Sequence, residues 1–233
     1  MEKQTPDRQQ SHNPYVQRLL DEGLVEVRCL SRRQIFVKRL IDLLGSTVGV
    51  FICLVFMIIL FIPYHFGRNR GPMFYKQKRY GQFGETFQIY KFRTMIVGAE
   101  EMLLTDPKLF EKYQSNGNKL EDDPRVTRLG RFLRKFSVDE LPQFFNVFIG
   151  EMALIGPRPI LEIELEEYGE RLPYLQIARP GLSGYWTTHG RSKVLFPERA
   201  DMELEYLRLR STRYDLHLLW LTVVQLLKNR ETY

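Results

Sequence analysis

The chain has 233 residues, of which 44% are hydrophobic and 27% are charged. This balance excludes wholesale disorder and fits one folded domain with an appendage. Lys and Arg exceed Asp and Glu by 34 to 28, and the resulting formal charge of +6 favours anionic partners such as phosphates, acidic lipids or nucleic acid. The two cysteines, Cys29 and Cys53, are too few for a disulfide framework or a Cys-rich metal site, so a reducing compartment is expected.

The first segment, residues 1–37, is polar and of mixed charge. We predict a cytoplasmic N-terminal arm there, with a short helix over Val16–Glu22.

An apolar segment follows and dominates the first third of the chain. Residues 43–64 form a run of 22 residues without a charge, which the mean hydropathy of −0.29 conceals by averaging. As a helix this run would reach roughly 33 Å, enough for a hydrocarbon core of about 30 Å. The alternative is a buried helix of a soluble protein, but such helices are rarely apolar on every face. The sequence therefore predicts a membrane-inserted helix over residues 38–66.

The flanks of this helix are basic on both sides, whereas a spanning helix usually has positive residues mainly on its cytoplasmic side. The flanking cations are Arg32, Arg33, Lys38, Arg39, Arg68, Arg70, Lys76, Lys78 and Arg79. Two topologies remain open: a helix that spans against a weak bias, and a re-entrant helix with both ends, near Glu22 and Lys76, in the cytoplasm. Gly45 and Gly49 could bend the helix or seat a partner helix.

Residues 67–233 are predicted to form one mainly helical domain with a small β-hairpin. Two aromatic-rich segments around a Gly-containing loop predict the hairpin over 73–80 and 86–95. A helix and a loop are predicted over 98–120, and helical patterns cover about 125–150, 160–168 and 212–229. The second and last of these helices carry Phe, Trp and Leu on one face, and that face is either interfacial at a membrane or part of the core.

The densest chemical signal is the adjacent pair Asp139 and Glu140, which follows Arg131, Arg134 and Lys135. A carboxylate can attack a phosphoryl group and form an acyl phosphate, and cations can neutralise the phosphates of its substrate. A second carboxylate can hold Mg²⁺. The alternative is a capping box formed by Ser137 and Glu140 at a helix start, which places Pro142 inside that helix, where it would cost a hydrogen bond.

Further basic positions are candidates for phosphate contact. Arg158 lies between Pro157 and Pro159, whose fixed backbone angles would hold its guanidinium in place. Lys91 and Arg93 are two residues apart, so they share one face if both lie on a strand. Zinc spacing, a Walker loop, a G-x-G-x-x-G loop and a nucleophile elbow are all missing from the sequence.

Taken together and in order, these motifs resemble the monotopic bacterial phosphoglycosyl transferases, or bacterial sugar transferases. The resemblance runs from about Lys38 to Lys228 and rests on the following segments: Lys38-Arg39-x-x-Asp42, Gly71-Pro72, Tyr90-Lys91-Phe92-Arg93-Thr94-Met95, Asp123-Pro124-Arg125-Val126-Thr127, Ser137-Val138-Asp139-Glu140-Leu141-Pro142, Gly156-Pro157-Arg158-Pro159, Arg179-Pro180-Gly181 and Gly190-Arg191-Ser192.

The resemblance implies an activity. Such enzymes move a sugar-1-phosphate from a nucleotide diphosphosugar, here expected to be a UDP-sugar, to a polyprenol phosphate, expected to be undecaprenyl phosphate, and so begin surface polysaccharide or glycoconjugate assembly. It implies a re-entrant helix in the bacterial inner membrane and a catalytic domain on the cytoplasmic face. Its partners would be the donor, the lipid acceptor and the membrane, with no nucleic acid.

The resemblance also implies residue roles. Asp139 would be the nucleophile of a covalent phosphosugar intermediate, and Glu140 its partner carboxylate, both in contact with Mg²⁺. The substrate-binding positions would be Lys91, Arg93, Arg134, Pro157, Arg158, Pro159, Arg179 and Arg191, with Glu203 as a further candidate in place of a family Asp.

This chain departs from the family pattern in its membrane helix, which lacks the usual central Pro, and in Glu151, which replaces an Asp. Two other functional classes compete with the enzyme. One is a non-catalytic, membrane-anchored assembly or regulatory protein on the same scaffold, and the other is a membrane-tethered nucleic-acid-binding module.

Overall fold

The computed structural model describes residues 27–115, 120, 122–190, 194 and 196–228. The helix predicted over Val16–Glu22 lies outside these residues. Within them the main elements follow in the order α1 (Arg32–Phe61), β1 (Phe74–Tyr80), β2 (Thr86–Phe92), α2 (Ala99–Thr105), α3 (Pro107–Ser115), α4 (Arg128–Lys135), α5 (Gln143–Ile149), β3 (Ala153–Ile155), α6 (Leu165–Tyr168), α7 (Leu172–Leu175), β4 (Gly181–Ser183), α8 (Tyr185–His189), α9 (Glu198–Leu209) and α10 (Thr212–Leu227).

The apolar segment forms one unbroken helix of 30 residues, α1, which is long and apolar enough to cross a membrane. It begins earlier than predicted because Ser31 caps it: the Gln34 backbone N–H donates to Ser31 Oγ at 3.3 Å, and the Ser31 N–H donates to Gln34 Oε1 at 3.0 Å. Neither Gly45 nor Gly49 breaks the helix.

One stripe of α1 packs on the rest of the protein along almost its whole length. The buried positions recur every three, four or seven residues, as a helix face requires: Asp42, Ser46, Gly49, Cys53 and Leu60. A Cβ at Gly49 would lie 2.2 Å from the ring of Phe144 on α5, so this glycine seats the neighbouring helix. The opposite face of α1 leaves large apolar side chains exposed, among them Phe36, Leu44, Phe51 and Ile58.

The N-terminal end of α1 is attached by polar contacts. Lys38 Nζ donates to Asp215 Oδ2 of α10 and to the carbonyl of Ile155, each at 2.7 Å. Asp42 accepts from the Leu154 backbone N–H at 2.9 Å. The Lys-Arg-x-x-Asp motif therefore joins α1 to β3 and α10, and its charges are satisfied inside the fold.

The predicted β-hairpin is present, with β1 and β2 antiparallel and Tyr80 opposite Thr86. In this register Tyr75, Gln77 and Arg79 share a face with Lys91. The second strand ends at Phe92, so Arg93 lies beyond it and the two cations do not share a strand face. A second pair of strands, β3 and β4, is parallel and was not predicted.

The helical block predicted over 125–150 is divided. Helix α4 ends at Lys135, a single 3₁₀ turn covers Val138–Glu140, and α5 begins after Pro142. Pro142 precedes the helix instead of lying within it, so no backbone hydrogen bond is lost there. The segment predicted as a helix over 160–168 is a 3₁₀ turn followed by α6.

The segments with apolar faces are buried on one side only. On α10, Leu218 is fully buried, while Trp220 is 60% and Leu227 is 80% exposed. Around α4 and α5, Leu133 and Val147 are buried, whereas Phe132 and Ile149 remain more than half exposed. Each helix therefore contributes to the core with one side and leaves an apolar surface on the other.

A close backbone approach fixes α4 against the end of the hairpin. A Cβ at Gly130 would lie 1.9 Å from the carbonyl oxygen of Thr94, which accepts from the Thr127 N–H at 3.0 Å. No side chain larger than hydrogen fits at this point.

We therefore predict that Gly130→Ala lowers the free energy of unfolding by about 2 to 3 kcal/mol, the usual cost of overpacking, although Ala is the better helix former. Gly67→Ala is the matched control, because a Cβ there meets nothing within 4 Å and only the φ of +57° opposes it; it should cost about 1 kcal/mol. Denaturant unfolding in detergent measures both, and equal costs would contradict the close approach.

Candidate active site

The acidic pair lies in the 3₁₀ turn Val138–Glu140, between α4 and α5. Ser137, just before the turn, has φ 55° and ψ 21°, a left-handed conformation that non-glycine residues rarely adopt. Its side chain makes no capping hydrogen bond, so the capping-box alternative for Ser137 and Glu140 is wrong. Strained backbone of this kind persists only where the surroundings hold it, and it is frequent at functional sites.

Asp139 is buried, with 5% of its surface exposed, and its Oδ1 atom has no hydrogen-bond partner among the described residues. Burial, and then the negative charge of Glu140, raise the pKa of Asp139 to about 6, while Lys91 and Arg134 act in the opposite direction. Near neutral pH the carboxylate is therefore mostly ionised, yet poorly solvated. Such a group is more reactive than a hydrated carboxylate and suits nucleophilic attack.

Glu140 is paired with the hairpin. Lys91 Nζ on β2 donates to Glu140 Oε1 at 2.7 Å. Burial opposes the ionisation of Glu140, but the positive charges of Lys91, Arg158 and Arg79 outweigh it and hold the pKa of Glu140 below its usual range. The two adjacent carboxyl groups thus have different acidities because only Glu140 has a direct cationic partner.

Arg134 reaches this turn because α4 is fixed at its start. Thr127 caps α4 by accepting from the Gly130 N–H at 2.9 Å. Arg134 Nε donates to Thr94 Oγ1 at 3.0 Å, so the last turn of α4 is tied to the end of the hairpin. Just before the cap, Arg125 makes a two-point ion pair with Asp123, with distances of 2.8 Å and 2.6 Å. The motif Asp123–Thr127 therefore positions Arg134.

A small, open cleft lies beside the acidic turn. Its charged lining residues are Arg79, Lys91, Glu140, Arg158 and Glu203, and the remainder of its wall includes Gln143, Pro159, Gly181, Ser183, Gly184 and Thr187. Three cations facing one opening form a natural site for a diphosphate, since guanidinium groups bind phosphate oxygens in pairs.

Arg158 is held where the sequence predicts it. The Pro157 carbonyl accepts from the Gly181 N–H at 2.7 Å, and the Pro159 carbonyl accepts from Arg79 Nη1 at 2.9 Å. The segment is thus fixed between β4 and the hairpin. The Arg158 guanidinium lies over the ring of Trp186, with 5.4 Å between them.

Glu203 on α9 also lines the cleft and is only 2% exposed. Its Oε2 atom accepts from the Arg158 backbone N–H at 3.2 Å. Burial raises the pKa of Glu203 to about 7, although the positive charges of Arg199 and Arg158 oppose this. Glu203 therefore exchanges a proton near neutral pH.

Three predicted binding residues, Arg93, Pro157 and Arg179, do not line the cleft with their side chains. Arg93 donates to the backbone carbonyls of Pro72 at 2.6 Å and of Met95 at 2.7 Å, and it stacks on Tyr64, so it holds the chain that follows α1 instead of lining the cleft. Pro157 and Arg179 support the cleft through their backbone carbonyls, which lie next to Gly181 and Gly156. Arg191 lies outside the described residues.

Arg79 lines the cleft but was not among the substrate-binding residues predicted from the sequence. It is buried between the Pro159 carbonyl and Gln77 Oε1, at 2.9 Å and 2.8 Å. Burial and the nearby Arg158 lower the pKa of Arg79 to about 10, so it remains a cation at neutral pH. The hairpin pattern could have identified Arg79, because pairing Tyr80 with Thr86 places Arg79 and Lys91 on one face of the hairpin.

The described residues contain no group of three or more His, Cys, Asp or Glu side chains that could hold a metal alone. Mg²⁺, however, is usually held by one or two carboxylates together with substrate phosphates. Asp139 and Glu140 supply two adjacent carboxylates, and the Oδ1 atom of Asp139 is unpartnered. The donor set therefore fits Mg²⁺ that is shared with a phosphate ligand.

Comparison with known proteins places these residues in a family context. A family model described as bacterial sugar transferase matches residues 33–229. The chain is 38% identical over 202 residues to a "UDP-galactose-lipid carrier transferase" of Erwinia amylovora, covering 85% of this chain and 42% of that protein. It is 37% identical to an "undecaprenyl-phosphate galactose phosphotransferase" of Salmonella typhimurium, with the same coverage. It is also 36% identical to "exopolysaccharide production protein ExoY" of Rhizobium meliloti, covering 84% of this chain and 88% of that one.

The chain thus spans about 42% of the length of the first two relatives.

The raised pKa of Glu203 predicts a pH-dependent stability that Glu203→Gln removes. The folded protein holds the proton of the Glu203 carboxyl group up to about pH 7. The stabilisation that this bound proton provides is therefore complete below the unfolded pKa of 4.5 and is lost as the pH rises through 7. From about pH 5 to about pH 8, the wild type should lose about 2 to 3 kcal/mol relative to Glu203→Gln. Equilibrium unfolding in detergent measures this difference. Glu205→Gln, a change on the same helix, should show the same dependence of stability on pH as the wild type. If the stability of all three proteins varied with pH in the same way, the raised pKa of Glu203 would be contradicted.

Proposed function

The chain belongs to the bacterial sugar transferase family, and from this we propose that it transfers a sugar-1-phosphate from a nucleotide diphosphosugar to a polyprenol phosphate. The donor is a UDP-sugar and the acceptor is undecaprenyl phosphate, in keeping with the names of the relatives. The product begins the assembly of a surface polysaccharide or glycoconjugate.

The observation that carries the proposal is the buried carboxylate of Asp139, whose Oδ1 atom has no partner among the described residues and which adjoins Glu140 in the wall of a cleft with three cations. A core carboxylate that served only for stability would be paired, because an unsatisfied buried charge is costly. A carboxylate held for attack on phosphorus needs a free oxygen and a neighbouring site for the phosphates of the donor.

In the first step, an Asp139 oxygen attacks the phosphorus that carries the sugar. The bond from that phosphorus to the bridging oxygen breaks, and the electron pair leaves with the nucleoside monophosphate. An aspartyl phosphosugar remains on the enzyme. Lys91, Arg79 and Arg158 stabilise the charge that develops on the phosphate oxygens and on the leaving group.

In the second step, an oxygen of the polyprenol phosphate attacks the same phosphorus. The acyl phosphate bond breaks and restores the Asp139 carboxylate, and the product is a polyprenyl diphosphosugar. Arg134, anchored by Thr94, lies on the side of Asp139 where the chain passes from α4 to the turn, and it binds the acceptor phosphate. The ion pair with Lys91 holds Glu140 in position during both steps.

Asp139 and Glu140 would hold Mg²⁺ together with the donor phosphates. When bound, the cation neutralises phosphate charge and orients the diphosphate.

We further propose that both ends of α1 lie on the cytoplasmic side of the bacterial inner membrane. Both ends contact the same folded body, through Lys38 and Asp215 at the start and through Tyr64 Oη and the Arg93 carbonyl, 2.5 Å apart, beyond the end. A helix crossing the bilayer would draw the buried charges of the body into hydrocarbon, at a cost of several kcal/mol each. The exposed apolar face of α1 instead faces the lipid, with the flanking cations at the headgroups.

Covalent capture tests the chemistry. After incubation with Mg²⁺ and a panel of UDP-sugars, intact-mass and peptide analysis should show a phosphosugar on Asp139 together with released UMP. In Asp139→Asn the adduct should be absent and turnover should fall by at least about a thousandfold, because the amide is not a nucleophile.

Asp122→Asn, which alters an exposed acid close in sequence, is the matched control and should keep both the adduct and the turnover. A wild type that forms no adduct and releases no UMP with any donor would support the non-catalytic alternative.

Accessibility of cysteines tests the topology. Cys29 is exposed just before α1, and Cys53 is buried within it. In inverted membrane vesicles an impermeant maleimide should label Cys29 of the wild type and the new cysteine of Cys29→Ser/Lys76→Cys. In intact spheroplasts the same maleimide should label neither of these cysteines. Labelling of the two positions from opposite sides would show that α1 spans the membrane.

A further inference from the structure

Charges of both signs line the cleft, namely the cations Arg79, Lys91 and Arg158 and the acids Glu140 and Glu203. Glu140 is paired with Lys91, whose Nζ atom lies 2.7 Å from Glu140 Oε1. Glu203 accepts from the Arg158 backbone N–H and lines the wall together with Thr187, Ser183 and Gly184. A diphosphate fits the part of the cleft beside Lys91 better than the part beside Glu203, since an ionised Glu203 repels phosphate.

Several hydrogen-bond donors around Glu203 have no partner among the residues that the structure describes. They are Arg158 Nε, Trp186 Nε1 and two nitrogens of Arg199, Nε and Nη2. These side chains form one stacked group, because the guanidinium of Arg199 lies 4.5 Å and that of Arg158 5.4 Å from the ring of Trp186. Buried donors of this kind are costly unless a ligand, a water molecule or a rearrangement of the site satisfies them.

The acceptor Glu203 and the donor Arg158, whose Nε atom is unsatisfied, thus line the same cleft, and the other unsatisfied donors lie in the group stacked with Arg158. Phosphate oxygens only accept hydrogen bonds, and an ammonium group only donates them. A hydroxyl group does both, and adjacent ring hydroxyls can donate to a carboxylate while accepting from a guanidinium or an indole. Near neutral pH Glu203 can also donate, since its pKa is raised to about 7 mainly by burial.

We propose that the part of the cleft beside Glu203 binds ring hydroxyls of the donor and selects the donor by their arrangement. The inference rests on the proposed transferase activity and extends it, because it assigns Glu203 as a specificity-determining residue. The hydroxyls belong either to the transferred sugar or to the ribose of the nucleotide, since both rings flank the diphosphate. Trp186 and Arg199 are positioning residues that hold Arg158 beside Glu203.

Donor selectivity tests this inference. UMP release is measured for the wild type, Glu203→Gln and Glu203→Asp with UDP-glucose, UDP-galactose and the 2′-deoxyribose analogue of the better of these two substrates. UDP-glucose and UDP-galactose differ only in the arrangement of one hydroxyl group, and the analogue lacks one ribose hydroxyl. The readout is the ratio of kcat/KM between donors, which a loss of folded protein leaves unchanged because all donors are affected equally.

We expect Glu203→Gln to weaken one of these donor preferences by about tenfold or more, the usual effect of losing a hydrogen bond to a charged group. A weaker preference between UDP-glucose and UDP-galactose, whichever is the better donor, assigns Glu203 to the sugar, and a reduced ribose-to-deoxyribose ratio assigns it to the nucleotide. Glu203→Asp, which keeps the carboxyl group, should restore part of the lost ratio. Glu205→Gln, whose side chain pairs with Arg208 on the same helix, should leave both ratios at the wild-type values.

Two results would overturn the inference, and they are distinguishable. An active enzyme whose donor ratios are the same in Glu203→Gln as in the wild type shows that Glu203 does not select the donor, and the transferase proposal stands. A wild type that releases no UMP from any donor overturns the transferase proposal and this inference with it.

Discussion

The ion pair between Lys91 and Glu140 joins the hairpin to the acidic turn. It connects strand β2, in the hairpin that follows α1, to a turn almost fifty residues later, and the rest of the site is arranged around it. Because Lys91 binds Glu140, Asp139 is the carboxylate of the turn that keeps an unpartnered oxygen. In the proposed reaction, this difference between two adjacent carboxyl groups lets Asp139 act as the nucleophile while Glu140 stays paired with Lys91.

The turn itself is held from two sides. On one side, Thr127 caps α4, Gly130 lies against the Thr94 carbonyl, and Arg134 bonds the Thr94 hydroxyl. On the other side, Gly49 of α1 receives Phe144 of α5, the helix that follows the turn. The left-handed backbone of Ser137 is tolerated because both neighbouring helices are fixed. Helix α1, the candidate membrane helix, is thus also part of the support of the site.

The family resemblance and the fold agree on the main parts of the molecule, but the missing central Pro has a structural consequence. Helix α1 runs unbroken from Arg32 to Phe61, and its buried stripe follows the folded body along that length. Glu151, which replaces a family Asp, accepts from Asn146 Nδ2 at 2.7 Å, and the same Asn146 nitrogen donates to the Gln88 carbonyl of β2. The longer side chain is therefore accommodated within the contact that ties α5 to the hairpin.

The sequence by itself determined the apolar helix, the hairpin and the acidic pair, because each depends on local pattern: an uncharged run, alternation around a glycine loop, and two adjacent carboxylates beside cations. Only the tertiary structure decided which cations face the cleft. Arg79 lines it and Arg93 does not, although both are basic residues of the same hairpin region, because strand register and the end of β2 at Phe92 set their directions. The same holds for Glu203, whose raised pKa arises from burial by distant segments. Chain contacts between residues far apart in sequence create such environments, and no local pattern records them.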